Sequence, residues 1–176
     1  MKKYLLALMG GISLWSCENQ VTQYPVSYKN DDFMQRSQER GKILLKEEIQ
    51  WFNEYKTNHN EYTFKQTESG IWITNDGLKS ETTANVGNYV NFTYQVYDIN
   101  DQVIYSYDQI GEQKIILGKA KLPRGIHSAI QLIEPSQKAR VLLPSFLAYG
   151  GVGDDDKIEP NQPIIVDIIV NDVKKH

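Results

Sequence analysis

At 176 residues and 20.3 kDa the chain is long enough for one domain with appendages and a core of useful size. A net charge of −3 and a pI near 5.6 leave no basic footprint, which excludes nucleic acid as an expected partner. The single cysteine excludes an internal disulfide, and no repeat or long low-complexity run is visible.

Residues 1–17 stand apart from the rest. Lys2 and Lys3 precede a short apolar run, Tyr4–Trp15, followed by Ser16 and Cys17. About twenty apolar residues are needed to span a bilayer, so this stretch reads as a signal peptide. L-W-S-C resembles a bacterial lipobox, in which the cysteine is lipidated and becomes the mature N-terminus. Trp15 departs from the small residue usual at its position, and an ordinary signal peptide with a chance cysteine is the alternative. Residues 18–31 are polar, contain Tyr24-Pro25 and read as a tether.

Asp31 or Asp32 is suited to cap a helix, and residues 32–61 are expected to form an N-terminal amphipathic helix. Leu45, Ile49, Phe52 and Lys56 fall at i, i+4, i+7 and i+11, with Leu44 and Trp51 broadening the face. Such a helix either packs on its own domain, the expected case, or pairs with a second copy. Residues 62–176 read as one domain. Tyr62–Gln66 and Ile71–Asn75 are short strands, and Asp76-Gly77 is a turn signal. Tyr89–Asp98 alternates in the strand period; Val103–Tyr107 and Lys114–Leu117 are further strands. Pro123-Arg124-Gly125 leads into a short helix, Ile126–Ile133, whose residues Ile126, Ala129, Ile130 and Ile133 share one face. Ala139–Leu143 is a strand that meets Pro144. After a glycine-rich loop and the acids Asp154–Asp156, Ile164–Val170 is apolar at nearly every position, as a strand buried on both faces should be. Many strands and one short helix give an α+β fold, an antiparallel sheet curled over a helix.

Three segments in this order carry a family resemblance: L-G-K-A-K-L-P-R-G at Leu117–Gly125, P-S-F-L-A-Y-G at Pro144–Gly150 and I-E-P-N-Q-P-I-I-V-D at Ile158–Asp167. From roughly Gly70 to Val173 the chain resembles the FKBP-type peptidyl-prolyl isomerases. The resemblance implies an FKBP-like sheet and helix, and proline-containing polypeptides as clients. Rotation about an X–Pro bond needs no nucleophile, metal or base, so no cofactor is expected. The implied site places Tyr149, Tyr94 and Tyr105 in the catalytic group. Ile104, Leu122, Pro123, Ile126, Ile158 and Val166 are its substrate-binding residues, with Tyr149 donating its hydroxyl to a substrate carbonyl. The histidines, His59, His127 and His176, lack metal-ligand spacing and read as solvent-facing. Asp154-Asp155-Asp156 lacks the alternating ligands of a calcium loop and reads as a solvated turn.

Departures from the family pattern are concentrated in the implied site. The usual F-D-S-S is I-Y-S-Y at Ile104–Tyr107, so Tyr105 replaces a carboxylate. Ile126 stands where an indole is usual, Val166 and Gln113 where aromatics are usual, and Glu159 where a proline is usual. These changes imply weak macrolide binding and reduced turnover, both expected to rise in Tyr105→Asp provided the substitution does not cost much stability, as a buried, unpaired carboxylate would. A non-enzymatic binding module on the same fold is the competing expectation. The layout of lipobox, helix and domain also resembles the gliding-motility-associated isomerase lipoproteins of the Bacteroidota. It implies a place in the bacterial cell envelope, lipid-anchored through Cys17 and facing the periplasm. If Cys17 is lipidated, Cys17→Ser should abolish partitioning into the detergent phase; equal partitioning of variant and wild type would exclude the anchor.

Overall fold

The computed structural model describes residues 30–74 and 84–175, with side chains from Phe33 onward. The expected signal peptide, Cys17, the tether up to residue 29, the Asp76-Gly77 turn and His176 lie outside the described residues. Contacts divide the chain after Arg36. Of the first unit only the opening turns of helix α1 are described, and the fold below belongs to the second, from Ser37 onward.

Helix α1 spans Asn30–Asn58. Asp31 and Asp32 therefore lie inside its first turn and not ahead of it. Seven strands follow among the described residues: β1 (Phe64–Gln66), β2 (Trp72–Thr74), β3 (Tyr89–Tyr97), β4 (Val103–Tyr105), β5 (Gln113–Ile116), β6 (Gln137–Leu143) and β7 (Ile164–Lys174). Two short helices interrupt them, α2 (Tyr107–Ile110) and α3 (Arg124–Ile130). Helix α2 was not expected: Tyr107 leaves the strand because Ser106 and Gln109 form a reciprocal capping box that closes a helical turn. The sheet order is β1-β2-β6-β7-β3-β4, with β5 also on β3 and every pairing antiparallel.

Strand β7 lies between β3 and β6, and its alternation explains its composition. Ile164, Val166, Ile168 and Val170 join the inner core with Ile126, Ala129, Ile130 and Ile133 of the α3 region. Ile165 points the other way, into a second cluster with Leu142 and with Phe52 and Tyr55 of helix α1. The sheet is thus covered by a helix on each face, and α1 packs on its own domain.

The buried stripe of α1 differs in part from expectation. Glu48, Phe52 and Tyr55 are buried, Leu45, Ile49 and Lys56 are half-buried, and Trp51 is 37% exposed. The stripe tracks the i, i+4, i+7 rows facing the sheet, and Trp51, three residues after Glu48 and four before Tyr55, sits at its edge. The Lys56 ammonium sits 3.4 Å from the centroid of the Trp72 ring, a cation–π contact that lets a charged residue face the sheet.

A polar network crosses the same face. Asp167, 2% exposed, receives Arg140 through two hydrogen bonds of 2.7 and 3.0 Å and Lys138 at 3.0 Å. Arg140 also donates to the Tyr55 hydroxyl at 2.8 Å and to Asp101 at 3.0 Å. His59 stacks on Tyr55 with ring centroids 4.0 Å apart and reaches Asp101 at 3.0 Å, so it is half-buried and engaged, not solvent-facing.

Burial pushes the Asp167 carboxyl up, but the hydrogen bonds and charge of Arg140, then of Lys138, hold it below its ordinary value. A depressed folded pKa gives stability that is present above the unfolded value, near 4, and lost as pH falls through the folded one. Asp167→Asn should therefore flatten the acid limb of a Tm-versus-pH curve, at a cost at pH 7 below the roughly 3–5 kcal/mol of a stranded buried charge, because Arg140 keeps Asp101 and Tyr55. An acid limb unchanged from wild type would contradict this.

Candidate functional site

Tyr149 is positioned by a short turn that the sequence encodes residue by residue. Pro144 precedes a 3-10 turn, Ser145–Leu147, with the φ of −56° that its ring fixes. The Ser145 carbonyl then accepts from Ala148 N–H at 3.0 Å and from Gly150 N–H at 2.8 Å, so Tyr149 is held between two anchored amides. Gly150 has φ +65°, the left-handed region that glycine enters without penalty, and its carbonyl accepts from Asn161 N–H at 2.8 Å. Tyr149 emerges half-buried. Among the described residues nothing takes up its hydroxyl or that of Tyr94.

The start of α3 is fastened to this turn. A Cβ on Gly125 would lie 2.6 Å from Leu143 Cδ2 and 3.0 Å from the Leu147 carbonyl, so a larger residue would force Leu143 and the turn to shift. The Pro123 carbonyl accepts from Ile126 N–H at 3.0 Å. His127 braces the preceding loop: its Nδ1 accepts from Gly118 N–H at 3.3 Å and its Nε2 donates to the Ala120 carbonyl at 3.1 Å. This histidine too is engaged, and the assignment fixes its tautomer.

The sheet supplies the remaining side chains. Tyr105, Val96, Val166 and Val141 lie in one register row across β4, β3, β7 and β6, and Tyr94 pairs with Ile168 in a neighbouring row. Of the residues singled out in the sequence, Tyr94, Ile126, Ile158 and Val166 are buried members of the inner core. Ile104, Tyr105, Leu122 and Tyr149 pack against that core partly exposed, and Pro123 is half-buried at the helix start. Ile126 and Val166 carry no exposed surface. A ligand reaches them only if neighbouring side chains move, so the apolar surface on offer is that of Ile104, Tyr105, Leu122 and Tyr149.

The Tyr149 hydroxyl is pushed up to about 12 by burial, with the charges of Tyr94 and Asp154 adding to the effect. Burial also raises Tyr94. Both stay protonated at neutral pH and both can donate. Nothing in the arrangement supplies a nucleophile–base pair, and among the described residues no group of histidine, cysteine or acidic side chains is placed to hold a metal. What it offers is apolar contact and hydroxyl donors.

Asp154 is a residue that sequence reasoning missed. Its Oδ1 accepts from the N–H groups of Asp156, Lys157 and Ile158 at 3.1, 3.0 and 2.8 Å. Its Oδ2 accepts from the Tyr105 hydroxyl at 2.6 Å, and Asp156 accepts from the same hydroxyl at 3.1 Å. Burial raises the Asp154 pKa, but the Tyr105 hydroxyl and these amides outweigh it and leave the carboxyl below its ordinary value. The acidic run is therefore not simply a solvated turn: Asp154 closes the loop, holds Ile158 and ties both to β4. An aspartate's habit of bonding amides a few residues ahead hints at the first role. The tyrosine partner, 49 residues upstream, leaves no local signal. Lys157 completes the latch, with its ammonium 4.8 Å from the Tyr105 ring centroid and donating to the Ile104 carbonyl at 3.3 Å.

This geometry adds a stability cost to Tyr105→Asp, the condition on which its expected gain in binding and turnover depends. A carboxylate at that position would face Asp154 and Asp156 with like charge and no donor. The variant should melt below wild type, and its amides between Gly153 and Ile158 should exchange faster. Tyr105→Phe, which loses only the hydroxyl, should lie between the two. A Tyr105→Asp protein as stable and as protected in this loop as wild type would contradict the latch.

The comparisons with known proteins bear on the family and the fold. A family profile, FKBP-type peptidyl-prolyl cis-trans isomerase, matches residues 80–171, more than half of the chain. Among solved structures, the fold is similar to that of FkpA from Escherichia coli, with TM-score 0.60, 19% identity and coverage of 82% of this chain and 69% of that one. It is also similar to a peptidyl-prolyl cis-trans isomerase from Pseudomonas syringae pv. tomato, with TM-score 0.60, 23% identity and coverage of 76% and 96%. No curated protein sequence matches the chain. Fold, motif placement and profile lead to one conclusion: the chain belongs to the FKBP-type peptidyl-prolyl cis-trans isomerase family.

Proposed function

We propose that the chain is a peptidyl-prolyl cis-trans isomerase acting on X–Pro bonds of exported polypeptides, held at the membrane of a bacterial envelope by a lipid on Cys17. Membership of the family supports the reaction. The observation that carries the reading is the Tyr149 hydroxyl, protonated and without a partner among the described residues, on a half-buried side chain that packs, like Leu122 and Ile104, against the inner core.

The chemistry asked of such a site is modest. Rotation of a peptide bond faces a barrier of about 18–20 kcal/mol, and uncatalysed X–Pro exchange takes roughly tens to hundreds of seconds. The amide loses resonance, and so polarity, as it twists. An apolar surface that accepts the proline ring favours the twisted form, and catalysis requires only that it be bound better than the planar one. Tyr149, donating to a neighbouring substrate carbonyl, holds the peptide while the bond turns.

A second reading has its own observation. Because Ile126 and Val166 are fully covered, the ring has a shallow seat, which suits a non-enzymatic chaperone or docking module in an envelope complex, gliding machinery included. Proline-limited refolding of a model protein separates the two. The isomerase reading expects the slow phase to accelerate in proportion to added chain; binding of X–Pro peptides without acceleration favours the docking module. Tyr149→Phe should keep the fold and weaken X–Pro peptide binding roughly two- to tenfold, the loss of one hydrogen bond worth about 0.5–1.5 kcal/mol. Unchanged affinity and turnover would return Tyr149 to the core.

A further inference from the structure

Helix α1 reaches the turn that carries Tyr149 through one side chain. Glu48 lies in the middle of the helix and has no exposed surface. Its Oε2 accepts from the backbone N–H of Ser145 at 3.1 Å, and its Oε1 has no partner. Ser145 is itself buried, and its carbonyl is the group that anchors Ala148 and Gly150 on either side of Tyr149. The two ends of one residue are thus occupied differently: the N–H is gripped by the helix, and the carbonyl sets the turn.

Burying a carboxylate against an apolar sheet is costly. Desolvation raises the Glu48 pKa in spite of the Ser145 hydrogen bonds that lower it. Helix docking does not require the group, because Phe52 and Tyr55 already fasten α1 to Leu142 and Ile165. An apolar residue at 48 would fit the same stripe. What an apolar residue lacks is an acceptor for the first N–H of the 3-10 turn, which otherwise stays buried and unsatisfied.

We propose that Glu48 is a positioning residue for the candidate site: by holding the Ser145 amide it fixes the Ser145–Gly150 turn and hence the direction of the Tyr149 hydroxyl. Helix α1 is then a working part of the site as well as a cover for the far face of the sheet. The functional consequence rests on the isomerase reading of Tyr149; the positioning itself does not.

The test uses the full chain with labelled tyrosine rings, the Tyr149 resonance being assigned by its loss in Tyr149→Phe. Three variants at Glu48 are compared with Phe52→Leu, which loosens α1 on the sheet at Leu142 and Ile165. Glu48→Gln keeps an acceptor and should leave the Tyr149 ring signal in place. Glu48→Met removes the acceptor and Glu48→Asp retracts it by one methylene; both should shift the signal. They should also weaken an X–Pro tetrapeptide roughly two- to thirtyfold, the range that coupling through a contact network spans. Phe52→Leu should lower Tm without moving the signal. If Glu48→Met does not fold, Glu48→Asp decides alone. An unmoved Tyr149 signal in the folded acceptor variants overturns the proposal, as does an equal shift in Phe52→Leu at equal loss of Tm. A signal that moves as expected in a protein that binds no X–Pro peptide upholds the positioning and rejects the isomerase reading.

Discussion

The fold depends on burying β7 from both sides. Each of its two faces needs a partner, and the chain provides one helix for each. Ile164, Val166, Ile168 and Val170 turn toward α3, while Ile165 meets Phe52 and Tyr55 of α1. Asp167 sits in the same strand on the α1 side, where a carboxylate is tolerable only because Arg140 and Lys138 converge on it. Remove either helix and a continuous apolar strand faces water. That requirement ties the N-terminal helix to a domain whose family motifs all lie downstream of it.

The same strand organises the site. Its register with β3 and β6 puts Val166 beneath the patch and brings Tyr94 and Tyr105 along neighbouring rows. At the edge of that surface two backbone features set the geometry. The close approach at Gly125 sets the start of α3 against the end of β6 and Leu147, and the left-handed Gly150 ends the turn that carries Tyr149. Across the patch, the Tyr105–Asp154 bond closes the loop that carries Ile158. The carboxylate missing from β4 thus has a counterpart in the loop, but one engaged within the chain. It serves as a fastening, its Oδ1 bound to three amides and its Oδ2 to the Tyr105 hydroxyl.

Much of the fold was legible because it is written in short-range patterns. The unbroken apolar run of β7, the alternation of β3 and the i, i+3, i+4, i+7 face that begins at Ile126 depend on neighbours a few residues apart. The P-S-F-L-A-Y-G turn was equally plain, since Pro144 and Gly150 mark its two ends. Other features depend on contacts that no local window holds. Glu48 meets Ser145 across 97 positions, and Arg140 meets Tyr55 across 85. A glutamate inside a helical stripe reads as an exposed residue until its distant partner is seen. His59 and His127 were misjudged for the same reason, and α2 because a single capping box decides a single turn. Of the nine side chains expected around the site, eight, all but Pro123, lie in or against one cluster. Sequence gave no sign that two of them, Ile126 and Val166, would be sealed from solvent, since exposure depends on how every neighbour packs.

Where a proline-containing peptide lands on the full chain is the most direct test. Amide shift mapping with an X–Pro tetrapeptide should move Ile104, Leu122, Ile158 and Tyr149 together, along with the Ser145–Gly150 turn, and leave the outer face of α1 undisturbed. Shifts confined to the solvent side of α1, or no saturable shifts at all, would contradict the site described here.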